Sequence, residues 1–302
     1  MEGTVTALLR FVSEVASKNN LNLVKWAKMN KVLYLLGKVN SDIQRHWRWQ
    51  EQRKRYYLYL KVIPNIIQFL NSLGIRGLIV KTIKPFEYVP DDIDILIING
   101  DSEALETVVQ ELKRLGYFVR QRGTPEVTVR TYINGMYVDL DIHTKMAAGP
   151  YEYIDKYYLW RRRKYLDING VKVPIPSEPD NLIITATHAI MKEFKILLAD
   201  ILHYLYLDES IVREASDISK SLGLSTALQY LIYLAKRTIM QIIARRALPV
   251  FPSKIPVHVV LSSYLENLNV RLVNQGIQPL KEIFLFPSSK GIGHLLKYIG
   301  IS

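Results

Sequence analysis

The 302-residue sequence contains no cysteine, which excludes disulfide bonds, thiolate metal sites and a cysteine nucleophile. It also lacks an apolar run of the roughly 18 residues that a transmembrane helix needs. Residues 1–6 show no basic segment leading into an apolar one. We therefore expect a cytoplasmic protein that does not enter a membrane. The six histidines show no HExxH spacing, which argues against a zinc site.

Negative charge is the scarcer sign, because 28 Asp and Glu stand against 40 Lys and Arg, a formal net charge of +12. Such an excess favours polyanionic partners, nucleic acid first, although it could also serve solubility alone. Residues 45–57 interleave Arg and Lys with Trp and Tyr. This pattern could hold phosphates and stack on bases, or it could form a solvated basic face with its aromatic side chains turned inward.

Apolar spacing divides the chain into three parts. We expect a helical N-terminal region (1–74), an α/β domain (75–176) and an all-helical C-terminal domain (177–302). The predicted fold class is α/β (α+β), a mixed sheet flanked by helices. The N-terminal region is predicted to hold a helical hairpin over 3–38 and one helix from Ser41 to Gly74. The other predicted elements are strands at 77–81, around Asp92, at 117–120, 126–133 and 136–143, a helix at 102–115, a hairpin at Asn169-Gly170 and a last helix near 288–299.

Two short stretches place carboxylates on apolar strands. Asp92 and Asp94 alternate with isoleucine, and on a later strand Asp139 and Asp141 alternate with apolar residues and end at His143. Carboxylates that share one buried face repel each other and lose hydration, so a cation is expected to neutralise them. Oxygen ligands of this kind suit Mg²⁺ or Mn²⁺. Two such ions can activate a hydroxyl and stabilise a pyrophosphate leaving group, which is the chemistry of nucleotidyl transfer.

Several motifs resemble the uncharacterised nucleotidyltransferase-like branch of the polymerase-beta-type nucleotidyltransferase superfamily. They begin with VKT (80–82), which is followed after nine residues by DIDILI (92–97). LKRLGYFV, DIH and VPIPSEPDNLIITATHAIMK with LLADILHYL follow in the same order. The resemblance covers residues from about 55 to about 246.

This resemblance implies roles for individual residues. Asp92 and Asp94 become the metal pair and Asp141 the third carboxylate, with Asp139 as the alternative for that third place. Lys81 matches the family lysine and would face the triphosphate, and His143, His188 and Asp200 fall at family-like positions. Thr82 stands where this branch has Gly. Its hydroxyl can still bond a phosphate oxygen, but its branched side chain denies the close backbone approach that Gly permits.

From motif and resemblance together we expect Mg²⁺- or Mn²⁺-dependent transfer of a nucleoside monophosphate from an NTP to a hydroxyl acceptor. RNA, including tRNA, is the favoured acceptor, and a toxin-like transferase is one specific version. A protein or a small molecule remains an alternative acceptor. The rival interpretation is a nucleotidyltransferase fold without activity that binds nucleic acid. A scaffold protein would bind neither NTP nor nucleic acid.

Overall fold

The computed structural model describes residues 2–18, 22–123, 126–149, 151–244 and 252–274. Helices α1 to α12 span Glu2–Lys18, Leu23–Met29, Leu33–Val39, Ser41–Arg45, Trp47–Ser72, Ser102–Arg114, Lys156–Arg161, Glu178–Met191, Leu198–Tyr206, Glu209–Ser221, Ser225–Ile243 and Val257–Asn274. Strands β1 to β11 span Gly77–Val80, Ile93–Ile97, Phe118–Arg122, Glu126–Ile133, Met136–His143, Met146–Ala148, Tyr151–Ile154, Lys164–Ile168, Val171–Ile175, Lys195–Ile196 and Ser253–Lys254. None of these helices is both long and apolar enough to cross a lipid bilayer.

The central sheet has five strands in the order β1-β2-β5-β4-β3. Only β2 and β5 pair in parallel within it, so the sheet is mixed. The β4–β5 hairpin turns at Asn134 and Gly135, whose positive φ angles of 51° and 79° are those of a tight two-residue turn. These findings confirm the predicted α/β class, with a mixed sheet flanked by helices.

Helix α6 carries the chain from β2 towards the outer strands. Asp101 caps it by accepting hydrogen bonds from the backbone of Glu103 and Ala104. Its buried face consists of residues spaced three and four apart, namely Leu105, Val108, Val109 and Leu112. The predicted helix and the observed one therefore agree to within one residue.

The two faces of the sheet belong to two different cores. Ile93, Ile95 and Ile97 pack with helices α5 and α6 on one face. Leu96 and Ile98 point the other way and join a core built from N-terminal and C-terminal helices together. Because side chains alternate along a strand, Asp94 lies on this second face. The sheet therefore presents the carboxylate towards the helical halves of the chain.

The N-terminal region departs from the predicted hairpin and single helix. Residues 2–39 hold three helices, and the helix predicted from Ser41 to Gly74 is broken at His46. The ring Nδ1 of His46 accepts a hydrogen bond from the Arg48 backbone and so begins α5 anew. The helix predicted near 288–299 lies outside the described residues. The three-part division of the chain stays a prediction.

Candidate active site

The carboxylates meet where β2 and β5 run side by side. The parallel register pairs Asp94 with Asp141 and Leu96 with His143. Val138, Leu140 and Ile142 fill the core on the α5–α6 face of the sheet. Alternation therefore puts Asp141 and His143 on the face that carries Asp94.

Asp94, Asp141 and His143 form a group that could hold a metal ion. One ligand atom from each residue lies within 4.8 Å of the other two. The ring Nε2 of His143 lies 2.9 Å from Oδ1 of Asp94, and its Nδ1 lies 3.2 Å from Glu126. A histidine that gives one nitrogen to a metal commonly donates the other N–H to a carboxylate, so the donor set fits a divalent ion.

Charge pairing holds the carboxylate of Asp94 ionised. Burial alone would raise its pKa, but the contacting ammonium of Lys81 and the hydrogen bond with His143 hold the pKa well below its ordinary value. Asp92 lies just before β2 and lines the same cavity. Burial, with repulsion from Asp94 and Asp141, raises the pKa of Asp92 to about 7. The three carboxylates thus repel one another enough to favour a bound cation.

The environment of His143 supports the imidazolium form. Burial and the nearby Lys81 lower its pKa, but hydrogen bonds with Asp94 and Glu126 outweigh them, and the net shift is upward. The hydrogen bond from His143 lowers the pKa of Glu126 to about 2 despite its burial, and Lys192 adds to the effect. Without a metal, the ring of His143 therefore bridges the carboxylates of Asp94 and Glu126.

Lys81 reaches the carboxylates from an unusual backbone conformation. Its φ of 57° lies in the left-handed region, and the next N–H, of Thr82, donates to the Val80 carbonyl at 2.5 Å. This tight turn ends β1. The ammonium of Lys81 is consequently held against Asp94, and the Lys81 side chain is only 15% exposed.

Thr82 is placed differently from the phosphate-binding role that the sequence suggests. Its hydroxyl oxygen accepts a hydrogen bond from the backbone N–H of Asp94 at 2.8 Å, and the residue is 4% exposed. Thr82 lines a separate cavity of about 450 Å³ and is not part of the lining around the carboxylates. The hydroxyl thus supports the start of β2.

Asp139 is not brought into the metal-compatible group. Its carboxylate accepts hydrogen bonds from Arg130, at 2.5 and 2.8 Å, and from Arg120 at 2.5 Å. These bonds hold the pKa of Asp139 below its ordinary value although burial opposes them. Asp139, the alternative for the third carboxylate, therefore pairs with two arginines, whereas Asp141 faces Asp94.

A cavity of about 490 Å³ opens above the carboxylates. Its lining includes eight Lys or Arg side chains and six Asp or Glu side chains, so basic residues outnumber acidic ones around the carboxylates as well. The basic residues are Lys25, Lys28, Lys31, Arg48, Lys81, Lys84, Lys192 and Lys195. A polyanion would find compensating charge on several sides of this cavity.

Sequence reasoning missed the contribution of the N-terminal region to this cavity. Lys25, Lys28 and Lys31 come from α2 and the turn after it. The spacing of three between Lys25 and Lys28 places these two lysines on one side of α2. That spacing was the available signal in the sequence, but only the folded structure shows that α2 lines the cavity.

The family-like positions His188 and Asp200 also line the cavity. Asp200 lies 3.6 Å from Nζ of Lys84, which is 5% exposed. Burial lowers the pKa of Lys84, and the charge of Asp200 opposes that shift only in part. The pKa of His188 lies well below its ordinary value because of burial and of the charges on Lys81 and Lys192. Neutral His188 therefore adds no further charge to the cavity.

The site thus consists of a carboxylate and histidine group on adjacent sheet strands, at a cavity whose charged lining is mostly basic. The family described as uncharacterised nucleotidyltransferase matches residues 90–239. The chain belongs to this family, which confirms the resemblance of its motifs. The matched segment contains Asp92, Asp94 and Asp141 and begins after Lys81 and Thr82.

Two solved structures are similar to this chain. One is the crystal structure of an antigenic nucleotidyltransferase-like protein from Paracoccidioides brasiliensis, with 16% identity, a TM-score of 0.39 and coverage of 63% of this chain and 94% of that one. The other is the solution structure of the antibiotic-resistance factor ANT(2'')-Ia, with 14% identity, a TM-score of 0.32 and coverage of 63% and 97%. No protein of curated function matches the sequence.

Proposed function

We propose that the protein transfers a nucleoside monophosphate from an NTP to a hydroxyl acceptor and releases pyrophosphate, with Mg²⁺ or Mn²⁺ as cofactor. One observation carries this proposal: Asp94, Asp141 and His143 offer ligand atoms within 4.8 Å of one another at a cavity lined by basic side chains. Membership of a nucleotidyltransferase family agrees with it.

The roles divide between the lining of the cavity and its acidic group. Asp94 and Asp141 would hold the cation together with His143, and Asp92 would add a further oxygen ligand. A bound divalent ion supplies electrostatic stabilisation of the charge on the transferred phosphoryl group. Lys81 lies within contact of Asp94 and would compensate the phosphates at the inner end of the cavity. The lysines of the α2 segment (Lys25, Lys28 and Lys31) would bind phosphates at another wall of the cavity.

RNA is the acceptor that the charge of the chain favours. The formal net charge of +12 attracts polyanions in general. A transfer to tRNA, as in a toxin-like enzyme, is the specific form of this proposal. A protein or small-molecule acceptor would show the same chemistry at the phosphate.

A second candidate is a nucleic-acid-binding protein that keeps the fold without catalysis. It draws support from Thr82, which is buried and stands where the branch that the motifs resemble has Gly. The exposed aromatic end of α5 agrees with it, because Trp47 is 64% exposed and the Arg48 guanidinium lies 5.2 Å from its ring centroid.

Transfer of label distinguishes the two candidates. The whole chain is incubated with each α-³²P-labelled NTP, Mg²⁺ or Mn²⁺, and total RNA or protein, and the labelled species is identified. The proposal expects label on an acceptor with the wild type and none with the Asp92→Asn/Asp94→Asn double variant. RNA binding that is indifferent to metal and to these substitutions, without any transfer, would support the binding protein instead.

A further inference from the structure

The face of the β4–β5 hairpin that carries Asp141 continues beyond the metal-compatible group. Directly opposed residues of the two strands form rungs, and alternate rungs point to the same face. From the interior to the turn, the rungs on the Asp141 face are Glu126 with His143, Thr128 with Asp141, Arg130 with Asp139, and Tyr132 with Tyr137. The row therefore leads from the acidic group, through an ion pair, to two tyrosines.

The two tyrosines form an open aromatic surface at the end of the row. Tyr132 is 62% exposed and Tyr137 is 52% exposed, and their ring centroids lie 5.0 Å apart. The Arg130 guanidinium lies 5.0 Å from the centroid of Tyr137. Exposed aromatic rings beside arginine are the elements on which unpaired bases stack.

Positive charge exceeds negative charge around Asp139, in the part of the row next to the tyrosines. Arg120 and Arg130 both bond the single carboxylate of Asp139, which leaves one cation of the three groups uncompensated. Arg120 keeps 52% of its side chain exposed while making this contact. A phosphate backbone that runs beside the tyrosines would meet these guanidinium groups.

A second arginine contact joins the tyrosine end to the rim of the cavity. Arg55 donates to the backbone carbonyl of Tyr137 at 3.3 Å and to the hydroxyl of Tyr59 at 3.2 Å. The Tyr59 hydroxyl in turn donates to the Asp91 carbonyl at 2.9 Å, and Asp91 lines the cavity. The turn of the hairpin and the entrance to the cavity are thus connected by hydrogen bonds.

We propose that the outer end of the row together with Arg120 of β3, a surface that we call the tyrosine platform (Arg120, Arg130, Tyr132 and Tyr137), binds a single-stranded nucleic acid as the acceptor of the reaction. The inference rests on the proposed function and assigns its acceptor class. Bases that precede the end of the nucleic acid stack on Tyr132 and Tyr137, the backbone follows the arginines, and the terminal hydroxyl lies near Asp141. Along β5, the four-residue step from Tyr137 to Asp141 corresponds to about 13 Å. Only the end of the nucleic acid therefore enters the cavity.

Binding of a fluorescein-labelled single-stranded RNA of about 12 nucleotides, followed by anisotropy, tests this assignment. We expect the Tyr132→Ala/Tyr137→Ala variant to bind at least tenfold more weakly than the wild type, because each lost stacking contact weakens binding several-fold or more. Tyr132→Phe/Tyr137→Phe should keep the affinity. The matched control is Tyr157→Ala/Tyr233→Ala, which removes two equally exposed tyrosines elsewhere and should leave the affinity unchanged.

The outcomes separate this inference from the proposed function. Binding of Mn²⁺–ATP, measured by calorimetry on the same variants, should be unaffected by the alanine pair. If the wild type does not bind the RNA, if both alanine pairs bind it as the wild type does, or if a duplex of the same sequence binds equally well, the tyrosine platform is refuted. Label that reaches only protein, together with such unchanged RNA binding, would assign the acceptor to a protein and overturn the inference while sustaining the transferase.

Discussion

The ammonium of Lys81 contacts the carboxylate of Asp94, and the two side chains are only 15% and 7% exposed. The pair joins the end of β1 to the first carboxylate of β2, so it couples the fold to the candidate site. Removing one partner of a buried ion pair leaves the other charge uncompensated, whereas removing both does not. In the absence of a metal, Lys81 therefore serves as the nearest counter-ion of Asp94.

We expect Lys81→Met to lower the free energy of unfolding by about 3 to 5 kcal/mol, the range for breaking a buried pair. Lys81→Met/Asp94→Asn should lose less than the sum of the two single changes. Denaturant unfolding of the four proteins without metal measures the coupling. Lys25→Met removes an exposed lysine from the same cavity and should unfold like the wild type. Additive effects of the two changes would contradict the pairing.

The metal-compatible group makes a prediction about which aspartate matters. A saturating divalent ion, at about 100 times its dissociation constant, stabilises a protein by about 2.7 kcal/mol. We expect Mn²⁺ to raise the melting temperature of the wild type, EDTA to reverse the effect, and Asp141→Asn to abolish it. Asp139→Asn should retain the shift because Asp139 bonds Arg120 and Arg130. If the Mn²⁺-induced rise in melting temperature were lost in Asp139→Asn and kept in Asp141→Asn, Asp139 would be the metal ligand instead of Asp141.

The lysines of the α2 segment should govern affinity for the triphosphate. Lys25→Gln/Lys28→Gln removes two cations from the cavity lining. We expect weaker binding of Mn²⁺–ATP and a smaller loss of affinity with added salt, with little effect on AMP, which carries fewer charges. Lys54→Gln, on exposed α5 surface outside the lining, is the control. Equal losses for ATP and AMP would show that these lysines do not contact the outer phosphates.

Turn chemistry and side-chain alternation were enough to predict from the sequence the strands that carry the site. The β4–β5 hairpin is observed with its predicted bounds, 126–133 and 136–143, because the Asn134-Gly135 turn fixes its register. Alternation also predicted that Asp139, Asp141 and His143 share a face. It could not select between Asp139 and Asp141, because the deciding partners of Asp139 include Arg120, which comes from β3 and is brought near only by the folded sheet.

The remaining differences also arise from tertiary contacts. Thr82 looked like a phosphate ligand because of its place in the motif, but the tight turn at Lys81 directs its hydroxyl to the backbone of Asp94. The helix break at His46 depends on a side-chain cap that competes with helix continuation. The periodicity of apolar residues predicts helices and strands, but it does not predict either of these hydrogen bonds.

Packing between the N-terminal helices and α5 gives a prediction about stability. Gly37 lies in α3 against the indole of Trp49, whose Nε1 donates to the Tyr34 carbonyl at 2.9 Å. A Cβ at Gly37 would lie 2.0 Å from that Nε1, so the ring would have to move and give up its hydrogen bond. We expect Gly37→Ala to cost about 1 to 3 kcal/mol by overpacking. Gly123→Ala, where a Cβ meets no atom nearer than 3.6 Å, should change the denaturation midpoint little.

Acid sensitivity should originate in part at His203, which is completely buried. Its Nδ1 lies 2.9 Å from the Thr185 hydroxyl and 3.4 Å from Nζ of Lys84. Burial, aided by the charge of Lys84, lowers the pKa of His203 well below 6.5. Below about pH 6.5, His203 therefore binds a proton in the unfolded chain but not in the folded protein. The free energy of unfolding consequently decreases as the pH falls below that value. The loss approaches about 1.4 kcal/mol per pH unit for one such group.

The comparison of wild type with His203→Asn isolates this contribution. Asparagine is smaller than the buried ring, so the variant should be less stable at pH 7. Because asparagine keeps an acceptor for Thr185 or Lys84 but does not titrate, the variant should lose less additional stability between pH 7 and pH 5. Urea unfolding at half-unit pH intervals measures the two slopes. His46→Asn, at a half-buried helix cap, controls for the general effect of removing a histidine. Parallel slopes in wild type and His203→Asn would mean that the buried ring does not contribute, because the linkage depends only on the protons bound by each state.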